Sequence, residues 1–478
     1  MNRRDFLKGI GLGAAATAFA EAARAAGAKA ERPNIVFILA DDLGYGHLGC
    51  YGQKKIRTPN VDRLAAEGMK FTQYYAGFTV CAPSRSVLMT GLHHGHTAVR
   101  SNSGSSSLLE GETTVAQVLQ RAGYTTGGFG KWGLGLQGAP GQPKRKGFDE
   151  FYGFYHQVHA HFYYPSWIWH NDEKLPLPGN AGGREQYVDD VLHAKALAFI
   201  RAAAKKRRPF FCYVPTIIPH VELAVPEDSV RPYRGTFPRK TINDPRPGYI
   251  GSDDAYAVYA GMISRMDRNV GRIVALLGEL GIEKNTIVIF TSDNGPQSGP
   301  WEPLRAFFRG GGPLRGAKGS LYEGGLRVPF VVRWPGKVRP GTVSDHVGGF
   351  QDMMPTFAEL AGARPPRTDG ISIVPALLGR AGEQKAHEFL FWGGGRTTAV
   401  RMGQWKAVRS QKRPWQLYDL SKDVGESNDV AAANAEVVER IEAVAAKAYT
   451  APRKQQHGRR VNIRAYVRGD RVGKNSAR

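Results

Sequence analysis

Two clusters of oxygen-bearing side chains each follow an apolar segment that is typical of a buried strand. Asp41 and Asp42 come directly after the apolar run 34–40, and Asp293 and Asn294 follow a second such run. Continuous apolar runs of this kind indicate strands covered on both faces, as in a parallel sheet. Ligands of open α/β sheets bind at the carboxyl ends of the strands. One Asp-Asp pair is equally typical of a turn or a helix cap, but two clusters at two strand ends favour a metal site.

The chemistry of these side chains indicates which metal the site would take. Three carboxylates and one amide oxygen form a hard, all-oxygen ligand set. Proteins bind Ca²⁺ and Mg²⁺ with such ligands, whereas zinc is usually bound through nitrogen or sulfur. The sequence therefore predicts Ca²⁺, with Mg²⁺ as the alternative.

Four basic side chains in short motifs predict a pocket for a doubly charged anion. Arg85 follows Cys81 in a segment that should begin a helix, and the N–H groups of a helix start attract oxyanions. Lys131, His220 and Lys318 lie near predicted strand ends or in glycine-rich loops. Taken singly, each is more often a surface lysine or a core histidine, so the prediction depends on their joint occurrence. Beside a divalent cation they favour a phosphate-like or sulfate-like ligand.

The composition and the first thirty residues predict an exported globular protein. The chain has 478 residues, of which 42% are apolar and 22% charged, and its three cysteines cannot form a disulfide framework. Residues 1–30 combine a twin-arginine pattern, a mild apolar segment and small-residue cleavage candidates, which is typical of a removable export signal. No other apolar run approaches the ~20 residues of a membrane-spanning helix. We therefore expect a periplasmic or secreted protein that uses the twin-arginine export machinery.

The charge of the chain favours acidic ligands. The formal net charge is +23, and residues 451–478 carry nine Lys/Arg against one acid, Asp470. We interpret this basic tail as a solvated terminus, with binding of polyanions or anionic lipid as the alternative. Neither the tail nor any motif indicates a specific nucleic-acid partner.

Alternating strand and helix signals over residues 31–384 predict a doubly wound α/β sheet flanked by helices, which would form the catalytic domain. The predicted strands span 34–40, 124–129, 209–215, 286–292 and 328–333. The predicted helices span 58–69, 188–203 and 254–281. An aromatic insertion at 152–169 and a Gly/Pro-rich loop at 296–315 show no regular periodicity.

After about residue 385 the pattern changes to short strands followed by one helix. The strands are predicted at 388–392, 399–409 and 415–420, and the helix at 434–449. We interpret residues 385–450 as a smaller C-terminal α+β subdomain of antiparallel strands with a helix packed on them.

The cysteine motif Cys81-Ala-Pro-Ser-Arg85, followed by Leu-Met-Thr-Gly91, resembles the signature of the type I sulfatases of the alkaline phosphatase superfamily. Further family motifs occur in the same order, among them Asp-Asp-Leu-Gly-Tyr-Gly, Gly-Lys-Trp, Ser-Asp-Asn-Gly-Pro and Leu-Arg-Gly-x-Lys-Gly. The resemblance spans about residues 32 to 450, and the cysteine motif is its most specific part. It suggests an enzyme of the arylsulfatase or N-acetylgalactosamine-sulfatase kind, and it implies an alkaline-phosphatase-like mixed sheet.

The resemblance implies that a maturation enzyme oxidises Cys81 to Cα-formylglycine, whose hydrate is the nucleophile. A hydrated aldehyde has one oxygen to attack sulfur and a second to expel sulfate, whereas a thiolate adduct would have no easy exit. The implied metal ligands are Asp41, Asp42, residue 81, Asp293 and Asn294. Arg85 would activate the nucleophile, Lys131 and Lys318 would hold the sulfate oxygens, and His220 with Lys318 would protonate the departing alcohol.

One position departs from the family pattern. The family usually has histidine where this chain has Gly133, and that imidazole contacts the formylglycine diol. We expect His159 or His161, from the motif Gln-Val-His-Ala-His, to fill the space. His94 and His96, which follow the nucleophile helix, are the rival candidates.

The basic charge and the aromatic insertion favour a sulfated glycan as substrate, since sugar rings stack on aromatic side chains. One alternative is a phosphodiester or phosphonate monoester hydrolase of the same superfamily. Another is an inactive, polyanion-binding homologue in which Cys81 stays a thiol.

Overall fold

The computed structural model describes residues 32–103, 106–246, 248–394, 397–411 and 413–454. The export signal predicted at 1–30 and the basic tail from residue 455 onward lie outside the described residues. Within the described part of the chain, no helix is both long and apolar enough to cross a membrane.

A large mixed sheet forms the centre of the molecule, and its middle strand is β1 (Asn34–Ala40), all of whose residues are buried. The other strands of this sheet are β2 (Met69–Tyr75), β3 (Thr125–Lys131), β4 (Glu150–Phe154), β5 (Trp167–His170), β6 (Glu173–Pro176), β7 (Phe210–Pro215), β8 (Thr286–Ser292), β9 (Arg327–Arg333), β10 (Thr342–Ser344) and β11 (Gly348–Gly349). Their order is β10-β2-β9-β8-β1-β7-β3-β4-β5-β6, and β11 pairs with β2. The predicted α/β class with a mixed sheet is confirmed.

Helices cover both faces of this sheet because alternate residues of β1 point to opposite sides. Val36 and Ile38 belong to one apolar core, with the helices Val188–Lys205 and Ala255–Glu279. Ile35 and Phe37 belong to the other core. The helices on that second face are Cys81–Thr90, Val115–Arg121 and Met353–Leu360.

The other α-helical segments before residue 385 are short. They are Pro59–Ala66, Glu227–Val230, Glu302–Phe308, Glu323–Leu326 and Val374–Leu377. The helix predicted at 58–69 is therefore shorter than expected, because Met69 already pairs with Val332 of β9 as the first residue of β2. Apolar periodicity could not separate the two elements, since the helix and the strand bury neighbouring apolar residues.

The two segments predicted to lack regular structure are partly regular. The aromatic insertion contains the end of β4 and most of β5, and Tyr155 stacks on Trp169 with ring centroids 4.9 Å apart. The Gly/Pro-rich loop contains the helix Glu302–Phe308. These elements have too few residues to show a period in the sequence.

A second, antiparallel sheet follows, made of β12 (Leu390–Gly394), β13 (Thr397–Met402), β14 (Trp405–Ser410) and β15 (Gln416–Asp419), with the helix Ala435–Ala448 packed on it. The single strand predicted at 399–409 is wrong. It is a hairpin that turns at Gly403, whose φ of 58° lies in the left-handed region that favours glycine. The subdomain boundary at residue 384 stays a prediction.

Candidate active site

The register of the parallel strands brings the two carboxylate clusters together. β1 and β8 pair so that Ala40 lies opposite Ser292, and Asp41 and Asp293 therefore leave the sheet at the same level. The Asp293 amide donates a hydrogen bond to the Ala40 carbonyl at 3.0 Å, and the Asp42 amide donates to Asp293 Oδ1 at 3.1 Å. Asp42 has a φ of 66°, a left-handed conformation that Asp tolerates better than most residues and that turns its side chain back toward the sheet edge.

The helix Cys81–Thr90 points its first residue at these carboxylates, and every residue of this helix is buried. Cys81 Sγ lies 3.3 Å from Asp41 Oδ1 and 3.9 Å from Asp42 Oδ1. Burial, together with Asp293 and Asp41, raises the pKa of the Cys81 thiol well above its usual range. The side chain at position 81 is therefore held at the centre of the cluster, but as an unmodified thiol it would stay protonated and be a poor nucleophile.

Three cations each pair with one of the three carboxylates. Arg85 donates to Asp293 Oδ2 from Nε at 3.0 Å and from a terminal nitrogen at 2.8 Å. Lys131 Nζ donates to Asp41 Oδ2 at 2.7 Å. Lys318 Nζ donates to a second carboxylate, Asp42 Oδ2, at the same distance. The side chains of Arg85 and Lys131 are fully buried, whereas that of Lys318 is 15% exposed, so the cluster meets solvent on the Lys318 side.

The proton affinities of the carboxylates follow from these pairings. Burial raises the pKa of Asp293 to about 7, with a further rise from Asp41 that Arg85 only partly offsets. Burial also raises the pKa of Asp42. Burial acts in the same direction on Asp41, but Lys131 and Arg85 outweigh it and hold that pKa below its usual range. The negative charges of Asp42 and Asp293 are thus not fully balanced by the protein's own cations.

The Asn294 side chain indicates that the cluster fits a divalent cation. Its Nδ2 donates to Asp42 Oδ1 at 2.7 Å, while its Oδ1 is buried and has no hydrogen-bond partner among the described residues. Rotation of the Asn294 amide by 180° would turn Oδ1 toward the carboxylates. Ca²⁺ and Mg²⁺ bind to carboxylate and amide oxygens. Here an amide oxygen without a hydrogen-bond partner among the described residues lies beside carboxylates whose negative charge is not fully balanced. The residues present therefore fit such an ion.

His220 joins the cluster at its exposed side. Its Nε2 lies 2.9 Å from Lys318 Nζ and 3.2 Å from Asp42 Oδ2. Burial and the Lys318 charge lower the pKa of His220 well below its usual range, so the imidazole is neutral and accepts a hydrogen bond from the ammonium group.

Of the two histidines expected to fill the space beside Gly133, the structure brings His161 to the cluster. Its ring stacks on that of His220 with centroids 4.2 Å apart, and its Nδ1 lies 2.7 Å from the hydroxyl of Tyr249. Burial lowers the pKa of His161 well below its usual range, and Lys131 and Lys318 lower it further.

His159 does not join the cluster. Its ring packs against Trp167 and Phe154, with centroid distances of 4.4 and 4.8 Å, and the charged groups that act on it are His156 and Lys174. His159 and His161 lie in a single 3-10 turn but point to different surroundings. A role for His159 at the cluster is therefore wrong, and the role expected for His161 stays a prediction.

The rival histidines lie elsewhere. His94 stacks on Phe78 and has its Nδ1 3.0 Å from the Gly393 carbonyl oxygen. His96 Nδ1 lies 2.8 Å from Asp369 Oδ2, in a separate group with His93. His93 Nδ1 accepts a hydrogen bond from the Gly95 amide, which leaves the proton of the neutral ring on Nε2 and makes that nitrogen a poor metal ligand.

The space beside Gly133 is occupied by a residue that the sequence did not single out. A Cβ atom at Gly133 would lie 2.1 Å from Gln157 Nε2. Gln157 is 6% exposed, and its two amide atoms have no hydrogen-bond partner among the described residues. The only signal in the sequence was that Gln157 belongs to the same motif as His161.

Two further residues around His161 were also missed. Tyr249 comes from the loop before the helix Ala255–Glu279, and Glu222 lies just after His220. Neither belongs to a recognisable motif, and only the folded chain places them next to the segment that carries His161.

The chain resembles known proteins over nearly its whole described length. Residues 33–363 match the family model described as Sulfatase, and residues 317–450 match that described as N-sulphoglucosamine sulphohydrolase, C-terminal. Residues 1–20 match the signal sequence of the twin-arginine translocation pathway, which confirms the expected export to the periplasm or the medium.

Similar proteins include N-acetylgalactosamine-6-sulfatase of Canis lupus familiaris, 33% identical over 413 residues that cover 80% of this chain and 72% of the relative. Arylsulfatase A of Homo sapiens is 34% identical over 480 residues, with 87% of each chain covered. Among solved structures, the crystal structure of Ps i-CgsB in complex with k-i-k-neocarrahexaose aligns with a TM-score of 0.73 and 29% identity, covering 88% of this chain and 94% of that one.

Proposed function

We propose that this chain, which belongs to the sulfatase family, hydrolyses sulfate esters of sulfated carbohydrates at the carboxyl edge of its large sheet. The observation that carries the proposal is the buried cluster in which Cys81 Sγ lies 3.3 Å from Asp41 Oδ1, among carboxylates and cations. A sulfate ester is an anion, and the basic groups at the exposed side of the cluster suit it. Carbohydrate substrates are supported by the relatives named as acting on N-acetylgalactosamine or holding neocarrahexaose.

The proposal includes Cα-formylglycine at position 81, made by a separate maturation enzyme, and a bound Ca²⁺, with Mg²⁺ as the alternative ion. Asp41, Asp42, Asp293 and Asn294 would hold the ion together with residue 81. The ion would supply positive charge to the oxygens that react, and the hydrated aldehyde would supply the nucleophilic oxygen. The raised pKa of the Cys81 thiol supports this, because the unmodified side chain is unsuited to attack.

The chain's own side chains then have distinct tasks. Arg85 orients the cluster through Asp293, while Lys131 and Lys318 bind the oxygens of the sulfate group. Lys318 and His220, whose side-chain nitrogens are 2.9 Å apart, share the proton that goes to the departing alcohol oxygen. The net reaction consumes one water and yields the alcohol and sulfate.

His161 takes the place of the imidazole that is missing at Gly133. Because its Nδ1 is engaged by Tyr249, its Nε2 would be the nitrogen that accepts the proton of the hydroxyl group remaining on hydrated residue 81, whose loss would release sulfate. A neutral imidazole is required for that step, and the lowered pKa of His161 supplies one.

Parallel assays on matured protein test the proposal. We expect turnover of sulfate monoesters and sulfated saccharides, little turnover of phosphodiesters or phosphonate monoesters, and none by Cys81→Ala. The mass of the peptide that contains residue 81 should be lower than that of the cysteine form, and iodoacetamide should not alkylate it. Preferred turnover of phosphodiesters would favour the superfamily alternative, and a free thiol with no turnover would favour an inactive polyanion-binding protein.

A further inference from the structure

We infer that Tyr249 and Glu222 are positioning residues, which hold His161 above the catalytic cluster with its proton on Nδ1 and its lone pair on Nε2. The inference rests on the role proposed for His161. It concerns residues outside every motif by which the sequence could be recognised, and it explains how a chain with Gly133 keeps an oriented imidazole at the site.

The first observation is the hydrogen bond between Tyr249 and His161. The Tyr249 hydroxyl lies 2.7 Å from His161 Nδ1, and burial raises the pKa of this phenol to about 12, so the hydroxyl keeps its proton. A hydroxyl can donate to an imidazole nitrogen or accept from it, so the distance alone does not fix the tautomer. The charges around His161 favour one tautomer.

The largest of those charges are the ammonium groups of Lys131 and Lys318, each of which acts on His161 more strongly than the opposing carboxylate of Asp41. Arg246 adds a weaker positive contribution from the Tyr249 side. Tyr249 occupies the Nδ1 side of the ring, so Nε2 is the nitrogen left to meet this positive field. A lone pair at Nε2 is stabilised by nearby positive charge, whereas an N–H bond there would be destabilised. The proton therefore lies on Nδ1 and is donated to the Tyr249 oxygen.

Tyr249 is itself held by its own loop. The guanidinium group of Arg246 lies 4.4 Å from the centre of the Tyr249 ring. Arg246 is fixed in turn by Asp244, which accepts hydrogen bonds from its Nε at 2.7 Å and from its backbone amide at 2.9 Å. A tyrosine clamped in this way loses little conformational entropy when it binds the imidazole, which is what a positioning residue requires.

The second observation is that the buried carboxylate of Glu222 links the segments that carry His161, His220 and Tyr249. Glu222 accepts a hydrogen bond from the Tyr163 amide at 2.8 Å and from the Ile250 amide at 3.2 Å. Tyr163 is two residues beyond His161, Ile250 is the neighbour of Tyr249, and Glu222 is two residues beyond His220. The carboxylate therefore fixes the distance between the histidine stack and the loop of the tyrosine.

The backbone conformation of Glu222 indicates that the surrounding contacts hold this residue in place. Its φ is 77°, in the left-handed region that non-glycine residues rarely adopt, and the residue is 1% exposed. A conformation of this kind costs on the order of 1 kcal/mol or more and persists only where the surroundings overdetermine it. Here the surroundings are the two amides that its carboxylate accepts from.

The test combines kinetics with a spectroscopic readout of the imidazole. Tyr249→Phe and Glu222→Gln are made singly and together with His161→Ala, with Tyr256→Phe as a matched control, since Tyr256 stacks on Phe307 away from the cluster. We expect Tyr249→Phe to lower kcat about tenfold, a fraction of the ~10²–10⁴-fold that general acid–base groups contribute. In the His161→Ala background it should have no further effect.

The second readout does not need turnover. In protein labelled with ¹⁵N at histidine, the His161 resonances, assigned by their loss in His161→Ala, should report a proton on Nδ1. Tyr249→Phe should convert this to a mixture of tautomers, and Tyr256→Phe should leave it unchanged. Glu222→Gln should shift the same resonances, and if that variant fails to fold, Tyr249→Phe decides alone.

An unchanged His161 spectrum in Tyr249→Phe, or an equal loss of kcat with and without His161, would overturn the inference, since the tyrosine would then act as packing only. Absence of sulfate-ester turnover by the matured chain without substitutions would instead count against the proposed function. The tautomer measurement would still decide the inference.

Discussion

The carboxylates of the cluster around Cys81 differ in proton affinity because they face different cations. Asp41 is flanked by Lys131 and Arg85 and keeps a low pKa, while burial and its neighbours raise that of Asp293 to about 7. Without an ion, the cluster is therefore partly protonated near neutral pH. A divalent cation would displace those protons, which couples metal binding to pH.

From this coupling we expect Ca²⁺ to stabilise chelator-treated protein more at pH 8 than at pH 6. The pKa of Asp293 is raised in the ion-free protein, so protons compete with the ion below about pH 7 and leave the carboxylate above it. At a Ca²⁺ concentration 100 times Kd the gain at pH 8 would be about 2.7 kcal/mol, read as a rise in Tm.

Two variants serve as controls for the calcium measurement. Asp42→Asn should remove the Ca²⁺ response, whereas Asp369→Asn, in the separate histidine group, should retain it. Equal shifts at both pH values, or a full response in Asp42→Asn, would contradict the predicted ligand set.

Gly133 gives a second prediction at the scale of single residues. Gly133 and Gly138 have nearly the same φ, 77° and 80°, but a Cβ atom would meet Gln157 Nε2 at Gly133 and open space at Gly138. We expect Gly138→Ala to cost about 1 kcal/mol of unfolding free energy for its backbone conformation. Gly133→Ala should cost about 1 kcal/mol more, because Gln157 is buried and has little room to move.

Urea unfolding of both glycine variants measures the difference. Adding Gln157→Ala to Gly133→Ala should recover the extra cost, since it removes the side chain that the new methyl group meets. A Gly133→Ala variant no less stable than Gly138→Ala would show that the amide moves aside freely.

At the scale of elements, a buried ionic network joins the small sheet to the large one. Lys406 of β14 lies 2.9 Å from Glu323 Oε1 and 3.6 Å from Glu426 Oε1, and all three side chains have no exposed area. Burial would raise the pKa of Glu323, but Lys406 and the neighbouring arginines lower it to about 2. Burial raises the pKa of Glu426 to about 7, so a single ammonium group serves two carboxylates of unequal charge.

We expect Lys406→Met to destabilise the protein by about 3–5 kcal/mol, because it removes the ammonium group that the buried carboxyl groups of Glu323 and Glu426 share. Thermal unfolding measures the loss. Lys422→Met is the matched control, since Lys422 is 84% exposed and pairs with Asp419 only at 3.8 Å, so its loss should be below about 1 kcal/mol. Similar values for the two variants would show that the network contributes no more than a surface pair.

At the scale of the whole molecule, the positive charge should act on polymeric substrates. The formal net charge of +23 creates a field that attracts a sulfated polymer and is screened by salt. A small sulfate ester carries one charge and is held by the cluster itself. The two kinds of substrate should therefore differ in their dependence on ionic strength.

We expect a chain that ends at residue 454 to keep its kcat on a small aryl sulfate. Residues 455–478 carry seven Lys/Arg and one Asp, so their removal lowers the net charge by six. The KM for a sulfated polysaccharide should rise several-fold at low salt and approach that of the full chain near 0.5 M NaCl, where the Debye length is only about 4–5 Å. An unchanged KM at low salt would support the simpler interpretation of a solvated tail.

The sequence by itself determined the class of fold, the buried strands and the principal cluster. Runs such as 34–40 are apolar on both faces, so their strand character and central position could be inferred without any contact being known. The polar residues that follow them had to meet, because parallel strands end at one edge. The basic residues from Arg85 to Lys318 could be assigned to the same cluster from motifs alone.

Only the tertiary structure decided which histidine lies beside His220 at the cluster, and which residues contact it. His159 and His161 are equivalent in the sequence, but one ring enters an aromatic core while the other stacks on His220. The two residues that we infer hold His161, Glu222 and Tyr249, lie 27 positions apart in the chain. Such contacts depend on how loops pack over a finished sheet, and no local period or motif encodes that packing.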